Sequence, residues 1–387
     1  VPNLRFPEFT EEWERCSLGH VTDFVKERIS TDKLTLANYV STENMKSDFG
    51  GINPAISIPN NTNVIHYKKG DVLLSNIRPY LRKVWAANSD GGCSTDVFVF
   101  RAKSISPSFL HYIMANDTFI NYVMSGAKGV KMPRGDKEQM LKYVFSIPRI
   151  EEQYKISRLL HLLDDRIATQ NKIIEKYESL IQAICDTLIE SGQPKVELSF
   201  NDFGEPYSGL SGKSAEDFGK GWPYITYMNV YQNQIIDITD VGLVKINETE
   251  QQSVVRYGDI LFTLSSETPD EVGMGAVYLG DIYPLYLNSF CFGVHITDES
   301  KIYPPFLAYY ISTKSFRKAV FPLAQGSTRF NLQKSDFMKK KFLFPTVEEQ
   351  NKIYSVLKAY SDKLSIEKNI ANLLCEQKSY LLRQLFI

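Results

Sequence analysis

Two short stretches of the sequence resemble parts of active sites, and each lacks something that the chemistry requires. Gly212-Lys213-Ser214 matches the end of a phosphate-binding loop, but the first glycine of such a loop falls on Tyr207 and no hydrophobic strand leads in. Pro269-Asp270 and Glu299-Ser300-Lys301 resemble a metal-dependent nuclease core, whose carboxylates must converge on one Mg²⁺ from strand ends. Here they lie in loop-type sequence rich in proline and serine. We expect neither stretch to be catalytic.

A third stretch, Tyr303-Pro304-Pro305-Phe306, resembles the (Asn/Asp)-Pro-Pro-(Tyr/Phe) motif of amino-group DNA methyltransferases. Tyr303 replaces the residue that would accept the target amino group, and a helix start with proline in its first turn explains the prolines. No glycine-rich signature for S-adenosylmethionine is present. The histidines show no metal-ligand spacing, which favours surface or packing roles; they are His20, His66, His111, His161 and His295. We expect no catalytic residue, no metal and no cofactor in this chain.

Composition indicates an ordinary globular protein with room for two or three domains in 387 residues. The net charge of −1 excludes a global positive field, which counts against a stand-alone DNA-binding protein but not against a subunit whose partners supply charge. The five cysteines lack paired spacing, as expected in a reducing compartment. Without a membrane-length apolar run or a signal segment, we expect a cytoplasmic protein and no membrane partner. The start at Val1 rather than Met leaves open whether the N-terminus is complete.

The most informative pattern is an internal duplication. At a shift of 197 residues, residues 107–190 align without a gap against residues 304–387. Glu151-Glu152-Gln153 recurs as Glu348-Glu349-Gln350, and the flanking prolines and aromatic residues recur with it. Upstream the shift is smaller: Gly70-Asp71-Val72-Leu73 corresponds to Gly258-Asp259-Ile260-Leu261 at 188 residues, and Tyr39-Val40-Ser41 to Tyr224-Ile225-Thr226 at 185. Each copy therefore has a divergent front part and a well-kept back part.

The back part of each copy ends in a run of 40 residues without glycine or proline, 151–190 and 348–387. In the first run, apolar residues recur at heptad positions from Ile156 to Leu188, with one polar interruption at Gln170; in the second, Glu367 and Lys378 interrupt the seam. Each helix would span roughly 60 Å at ~1.5 Å per residue. Antiparallel pairing would bury both seams and relate the copies by a pseudo-twofold axis. The alternative is an ordinary core helix in each domain.

The front parts contain short β-type runs separated by turn residues, so the predicted class is α+β, with two globular domains joined by two long antiparallel coiled-coil helices. The predicted strands are 64–67, 72–74 and 97–101 in the first copy, and 224–228, 260–264 and 293–296 in the second. Pro107 and Pro304 should each open a helix. The predicted domains are 1–150 and 191–347 for the globular parts, and 151–190 and 348–387 for the helices.

This arrangement resembles the specificity subunit of type I restriction-modification systems. The resemblance rests on two divergent units, each closed by Pro-x-x-Glu-Glu-Gln and a long helix. Leu4-Arg5-Phe6-Pro7-Glu8-Phe9 and the stretch from Tyr207 to Val230 also look like that family. The resemblance covers essentially the whole chain, and the Glu-Glu-Gln helix repeat is its most specific part.

The resemblance implies a non-catalytic subunit in which each globular part, a target recognition domain, reads one half of a bipartite site on double-stranded DNA. It implies that the helices fix the half-site spacing and dock two methyltransferase subunits, with two restriction/translocase subunits joining them. S-adenosylmethionine, ATP and Mg²⁺ would then act in the partners. The residues expected in the spacer and in partner docking are Glu152, Gln153, Ile156, Leu160, Leu163, Ile167, Glu349, Gln350, Ile353, Leu357 and Leu364. The rival interpretations are a DNA-modifying or DNA-cleaving enzyme fusion and a coiled-coil adaptor that binds only protein.

Direct readout of bases uses cationic, amide and hydroxyl side chains, which cluster at equivalent places in the two copies. In the first copy the expected DNA-binding residues are Ser75, Asn76, Arg78, Tyr80, Arg82, Lys128, Lys131 and Arg134. In the second copy they are Lys213, Ser214, Thr263, Ser265, Gln325, Ser327, Thr328, Arg329 and Asn331. Because the second set is polar rather than strongly basic, the two halves should read different sequences. Any single cation could instead be a solvated surface charge.

Overall fold

A computed structural model describes Pro2 and residues 4–191 and 194–386 of the chain. Two compact units are formed: unit 1 comprises Val1–Asn171 and Asn369–Ile387, and unit 2 comprises Lys172–Lys368. Each unit therefore contains one globular part and a segment of both long helices. The predicted range ends at Val1 and Ile387, and Gly192-Gln193 of the predicted second domain, lie outside the described residues.

Unit 1 mixes helices with short, mainly antiparallel strands. Its strands are β1 (Glu14–Ser17), β2 (Thr22–Phe24), β3 (Arg28–Ser30), β4 (Tyr39–Val40), β5 (Asn63–Tyr67), β6 (Val72–Ser75), β7 (Val84–Ala86), β8 (Gly91–Cys93), β9 (Val97–Ala102) and β10 (Val144–Ile147). Its helices are α1 (Leu18–Val21), α2 (Pro107–Met114), α3 (Asp117–Ser125), α4 (Lys137–Leu141) and the first part of α5 (Ile150–Ser191). The strands form sheets in the orders β2-β9-β6-β7 and β3-β5-β8-β4, together with the pair β1-β10.

Unit 2 repeats this plan. Its strands are β11 (Lys195–Leu198), β12 (Gly204–Ser208), β13 (Phe218–Ile225), β14 (Val241–Val244), β15 (Ile260–Thr263), β16 (Ser265–Ser266), β17 (Gly275–Val277), β18 (Tyr286–Leu287), β19 (Cys291–Ile296), β20 (Ala324–Gln325), β21 (Phe330–Leu332) and β22 (Phe342–Pro345). Its helices are the second part of α5, α6 (Tyr227–Gln232), α7 (Pro304–Tyr310), α8 (Lys314–Val320), α9 (Lys334–Lys339) and the first part of α10 (Val347–Leu385), whose last part belongs to unit 1. The sheet β12-β19-β15-β17 matches β2-β9-β6-β7 of unit 1.

The upstream alignment of the copies is confirmed by strand pairing. β4 pairs in parallel with β8 through Tyr39, and β13 pairs in parallel with β18 through the corresponding Tyr224. The predicted strand 224–228 is wrong in its second half, because the strand ends at Ile225 and α6 follows. Thr226 accepts a hydrogen bond from the backbone N–H of Asn229 at 3.2 Å, so it caps a helix where the β-type residues favoured a strand.

The long helices are present and run antiparallel within each unit. In unit 1, Ile156 and Leu160 from the start of α5 share a hydrophobic core with Leu382 and Leu385 from the end of α10. In unit 2, Cys185 and Ile189 from the end of α5 share a core with Ile353 and Leu357 from the start of α10. The polar interruption at Lys378 is compensated, because its Nζ lies 2.5 Å from Asp164 Oδ1. The predicted antiparallel helix pair is confirmed.

Candidate nucleic-acid interface

In unit 1 the structure brings two of the predicted DNA-binding segments together. The residues after β6 form a backbone bridge from Ile77 to Arg134, and Lys128 bridges to Arg134 across a hairpin. The N–H of Arg78 donates to the carbonyl of Pro133 at 2.8 Å, and the N–H of Gly135 to that of Asn76 at 3.3 Å. The turn at residues 76–82 and the hairpin at residues 128–134 therefore form one surface, which we call recognition surface 1.

Unit 2 contains the same arrangement in the same register. β16 pairs Ser265 with Asn331, which correspond to Ile77 and Arg134 at shifts of 188 and 197 residues. β20 pairs Gln325 with Asn331, as Lys128 pairs with Arg134. Residues 264–268 and the hairpin at residues 325–331 form recognition surface 2. The backbone frame is thus common to both units, although the side chains differ.

The predicted DNA-binding residues divide by exposure. The exposed ones are Arg78, Tyr80, Lys128, Lys131, Arg134, Ser214, Gln325, Ser327, Thr328, Arg329 and Asn331. Asn76, Arg82 and Lys213 are partly buried, whereas Ser75, Thr263 and Ser265 are buried. Ser75 Oγ donates to the carbonyl of Ile77 at 3.0 Å, so it supports the turn from inside. The three buried residues cannot contact a ligand without rearrangement of the fold, whereas the exposed residues can.

Lys213 and Ser214 have structural partners. The side chain of Lys213 is almost fully buried and pairs with Glu250, which holds the pKa of that carboxyl below its usual value. Ser214 Oγ donates to Asp217 at 3.0 Å at the start of a 3-10 turn. Both side chains are therefore engaged in contacts within unit 2.

The cations of recognition surface 1 differ in how they are neutralised. Lys128 lies 2.7 Å from Asp136, and this hydrogen bond raises the pKa of the lysine. Arg134 lies 3.1 Å from Asp96, and Arg82 contacts Asp48 and Asp117 at 3.4 and 3.2 Å. Within the described part of the chain, Arg78, Lys131 and Arg329 form no ion pair. These three cations carry uncompensated positive charge on the two surfaces.

Backbone strain marks the turn of recognition surface 1. Arg78 and Arg82 have φ of 50° and 54°, in the left-handed region that non-glycine residues rarely occupy, and they flank the 3-10 turn Pro79–Leu81. The hydrogen bond from Arg78 to Pro133 holds the first of them. Strained residues of this kind concentrate at ligand-binding sites, because the surrounding structure must fix them there.

The Glu-Glu-Gln motif proves to be a structural joint. Gln153 is buried; its Oε1 accepts from the N–H of Ser106 at 2.8 Å, and its Nε2 donates to the carbonyl of Pro148 at 2.9 Å. Gln350 makes the equivalent bonds to Tyr303 and Pro345, both at 2.8 Å. Each glutamine thus links the start of a long helix to the N-cap residue of an earlier helix of the same unit, α2 or α7. Sequence reasoning missed this role, because the partner lies 47 residues away.

The other predicted spacer residues mostly face inward. Ile156, Leu160, Leu163, Ile353 and Leu357 are buried, Ile167 and Leu364 are partly buried, and Glu152 is buried against Arg5. Glu349 is 41% exposed on its side chain. Sequence reasoning missed the apolar residues that the helices expose to solvent, which could have been found as apolar positions off the heptad seam. They include Tyr154, Leu159, Leu162, Val356, Ile366, Leu373 and Tyr380.

A cavity of about 560 Å³ lies in unit 1 between β7, α2 and α5. His111 lines it with a buried Nδ1 that has no hydrogen-bond partner, and burial lowers the pKa of this histidine to about 4. Ser157 lines the same cavity, whereas the corresponding residue of unit 2 is Tyr354, whose ring packs against Tyr309 at 6.0 Å. The two copies therefore differ in how closely the helix packs.

Neither a metal site nor a membrane span can be placed in the described residues. No three of their His, Cys, Asp or Glu side chains are grouped so that they could hold a metal ion. Their helices contain no segment long and apolar enough to cross a membrane.

The chain is similar in sequence and in fold to known proteins. The type I restriction enzyme MjaVIII specificity subunit of Methanocaldococcus jannaschii is 22% identical over 403 residues, covering 94% of this chain and 89% of that protein. A solved specificity subunit from M. genitalium covers 100% of this chain and 99% of its own, with 16% identity and a TM-score of 0.59. A structure from a study of type I R-M assembly covers 97% of each chain, with 19% identity and a TM-score of 0.59.

Each half of the chain matches the same family model on its own. The family model described as the type I restriction modification DNA specificity domain matches residues 10–179 and again residues 208–376. These two matches contain both recognition surfaces and most of both long helices. The chain therefore belongs to the family of type I restriction-modification DNA specificity proteins.

Proposed function

We propose that this chain is the non-catalytic DNA-recognition subunit of a type I restriction-modification enzyme. Recognition surface 1 reads one half of a bipartite site on double-stranded DNA, and recognition surface 2 reads the other. The observation that carries this proposal is the common turn-and-hairpin frame, which presents different exposed side chains in the two units. The globular domains 1–150 and 191–347 supply the readers, and the helices 151–190 and 348–387 supply the scaffold.

The charge of the two surfaces supports DNA as the ligand. Arg78, Lys131 and Arg329 are exposed cations without ion pairs among the described residues, so contact with phosphates or base edges would cost no intramolecular bond. Because the formal charge of the whole chain is only −1, partner subunits must neutralise part of the DNA backbone.

Two methyltransferase subunits dock along the long helices in this proposal, and two restriction/translocase subunits join the complex. Exposed apolar side chains at equivalent positions, Leu159 of α5 and Val356 of α10, support a docking role for both helices. S-adenosylmethionine, ATP and Mg²⁺ would act in those partners. The buried seam residues would then orient the docking surface without touching the partner.

The direct test uses Arg78→Ala and Arg329→Ala in the assembled complex, with methylated sites mapped across the host genome. Each substitution should relax the sequence requirement in one half-site only, at a cost of about 1–3 kcal/mol for a bidentate base contact. Each variant is the control for the other. Relaxation of both half-sites by one variant, or of neither by both, would contradict the assignment of one half-site to each surface.

A spacing test addresses the role of the helices. Deleting one heptad from both, residues 168–174 and the corresponding 365–371, should shorten the preferred gap between half-sites. An unchanged gap would refute the idea that the helices act as a ruler. Deletion of residues 168–174 alone is the control, since it breaks the match between the two helices.

The two rival functions make different predictions. If the purified chain alone methylated or cleaved DNA in the presence of S-adenosylmethionine and Mg²⁺, it would be an enzyme in its own right. If the assembled complex bound a duplex with the methylated motif no more tightly than a shuffled duplex, the chain would be a protein-only adaptor.

A further inference from the structure

The hairpin tip of recognition surface 1 exposes apolar side chains to solvent. Val130 is completely exposed and Met132 is 49% exposed. Each is next to Lys131 in the sequence, and Lys128 and Arg134 close the hairpin beneath them. Single exposed apolar side chains are common on protein surfaces and need no explanation. Two of them at the end of a cationic hairpin, however, form a surface that is suited to an anionic ligand with apolar patches.

The same tip in unit 2 has a different chemistry. Ser327, Thr328 and Arg329 occupy the positions of Val130, Lys131 and Met132 at the shift of 197 residues. The frame beneath the tip is unchanged, because Gly129 and Gly326 both have positive φ, 97° and 136°. A side chain at Gly326 would meet the carbonyl of Arg329 at 2.1 Å, so glycine is required there. Between the two units the tip therefore changes from apolar to polar without a change of the turn.

Base edges in the major groove explain such a change. The C5-methyl group of thymine is the apolar feature of that groove and pairs with apolar side chains, whereas guanine offers two acceptors that an arginine can bind in bidentate fashion. Lys131 would meet a phosphate, which positions the tip but carries no sequence information. Resting on the proposed DNA-reading function, we propose that Val130 and Met132 read a thymine methyl group in the half-site of unit 1, at the place where Arg329 reads a guanine for unit 2.

The test removes one methyl group at a time from the DNA. In the half-site that Arg78→Ala identifies as that of unit 1, each thymine of a synthetic duplex is replaced by deoxyuridine, and the dissociation constant of the assembled complex is measured. One replacement should weaken binding about four-fold, which corresponds to ~0.8 kcal/mol for one buried methyl group. The doubly substituted V130S/M132S complex should bind normal DNA about as weakly and should lose no further affinity on that replacement.

The outcomes separate this inference from the proposed function. If no thymine methyl group in that half-site matters, or if V130S/M132S retains full sensitivity to deoxyuridine, the inference is wrong although the chain still reads DNA. If the complex shows no preference for its motif, the proposed function itself fails. An unchanged melting temperature of V130S/M132S, expected for exposed tip residues, ensures that weaker binding reflects lost contacts.

A gain-of-function variant gives an independent answer. Transplanting the unit 2 tip as V130S/K131T/M132R should replace the thymine requirement with a preference for guanine at that position in the half-site of unit 1. A retained thymine requirement would overturn the proposal, because the tip would then not determine the base.

Discussion

Units 1 and 2 share the contacts that hold them together and differ in the side chains that they expose. Gln153 and Gln350 make the same pair of buried hydrogen bonds, and the two hairpins pair with their turns in the same register. On the hairpins, however, unit 1 has cationic and apolar residues where unit 2 has hydroxyl and amide side chains and one arginine at the corresponding positions. The comparison teaches that the frame is set by backbone bonds and buried amides, which leaves the exposed tips free to change.

The units also differ in one buried ion pair. In unit 1, Arg5 donates two hydrogen bonds of 2.8 Å to the buried Glu152. In unit 2 the side chain of the corresponding Glu349 is partly exposed, and its carboxylate lies 3.7 Å from Lys352 Nζ. The difference follows from the path of the chain. Cys16 pairs with Phe145 and Leu198 pairs with Phe342, so these two residues occupy corresponding positions in β1 and β11. Eleven residues before Cys16 the chain has Arg5, whereas eleven residues before Leu198 it has Thr187, which belongs to α5. In unit 2 the equivalent stretch of chain is part of α5, so no residue in the position of Arg5 covers Glu349.

The largest effect should come from the shared joint. Gln153→Ala and Gln350→Ala each leave a backbone N–H and a carbonyl buried without partners, at about 1–3 kcal/mol per group. We expect each substitution to lower the free energy of unfolding by about 3 kcal/mol, measured by urea titration of the full chain. Glu151→Gln, on the exposed neighbour, is the control and should cost about 0.5 kcal/mol or less. A loss confined to one copy would show that the joint is not common to both.

A smaller and asymmetric effect is expected at the ion pair. Arg5→Ala should lower the free energy of unfolding by about 2–3 kcal/mol, because it strands the buried carboxylate of Glu152; the partial exposure of Arg5 keeps the loss below that of a fully buried pair. Glu349→Ala should cost about 0.5 kcal/mol or less, as for other exposed pairs. Urea titration measures both, and R5A/E152Q should recover part of the loss. Equal losses for Arg5→Ala and Glu349→Ala would remove the asymmetry.

Much of the scaffold could be predicted from the sequence, because helix periodicity and duplication are local patterns. The helices that begin at Pro107 and Pro304, and both long helices, follow from such patterns. The strand end at Ile225 did not, since Asn229 stabilises α6 through hydrogen bonds to the carbonyls of Asp237 and Asp240. Those contacts depend on the tertiary fold.

The candidate site was predictable only in part for the same reason. The exposed polar segments after β6 and on the hairpin could be found by comparing the copies, but their pairing through Ile77 and Arg134 is a long-range backbone contact that leaves no trace in composition. The burial of Ser75 and the joint formed by Gln153 likewise depend on residues distant in sequence. Sequence identifies which segments could read DNA, and the fold selects the side chains that reach the surface.

The smallest expected effect concerns the cavity of unit 1. Unit 1 has Ser157 at the position of Tyr354 in unit 2, so no tyrosine side chain fills this space. Burial lowers the pKa of His111 to about 4, against ~6.5 in an unfolded chain, although Asp164 opposes this shift and Lys378 and His161 add to it. Between those values the unfolded chain binds a proton that the folded chain excludes, so stability falls as the pH drops from about 6.5 toward 4. Lowering the pH from 7 to 5 should therefore lower the melting temperature of the natural chain by about 4 °C more than that of the His111→Ala variant. Alanine is the residue that unit 2 has at the corresponding position, Ala308. An equal pH dependence in both would mean that His111 accepts its proton without leaving its buried position, and the packing difference between the units would then have no electrostatic consequence.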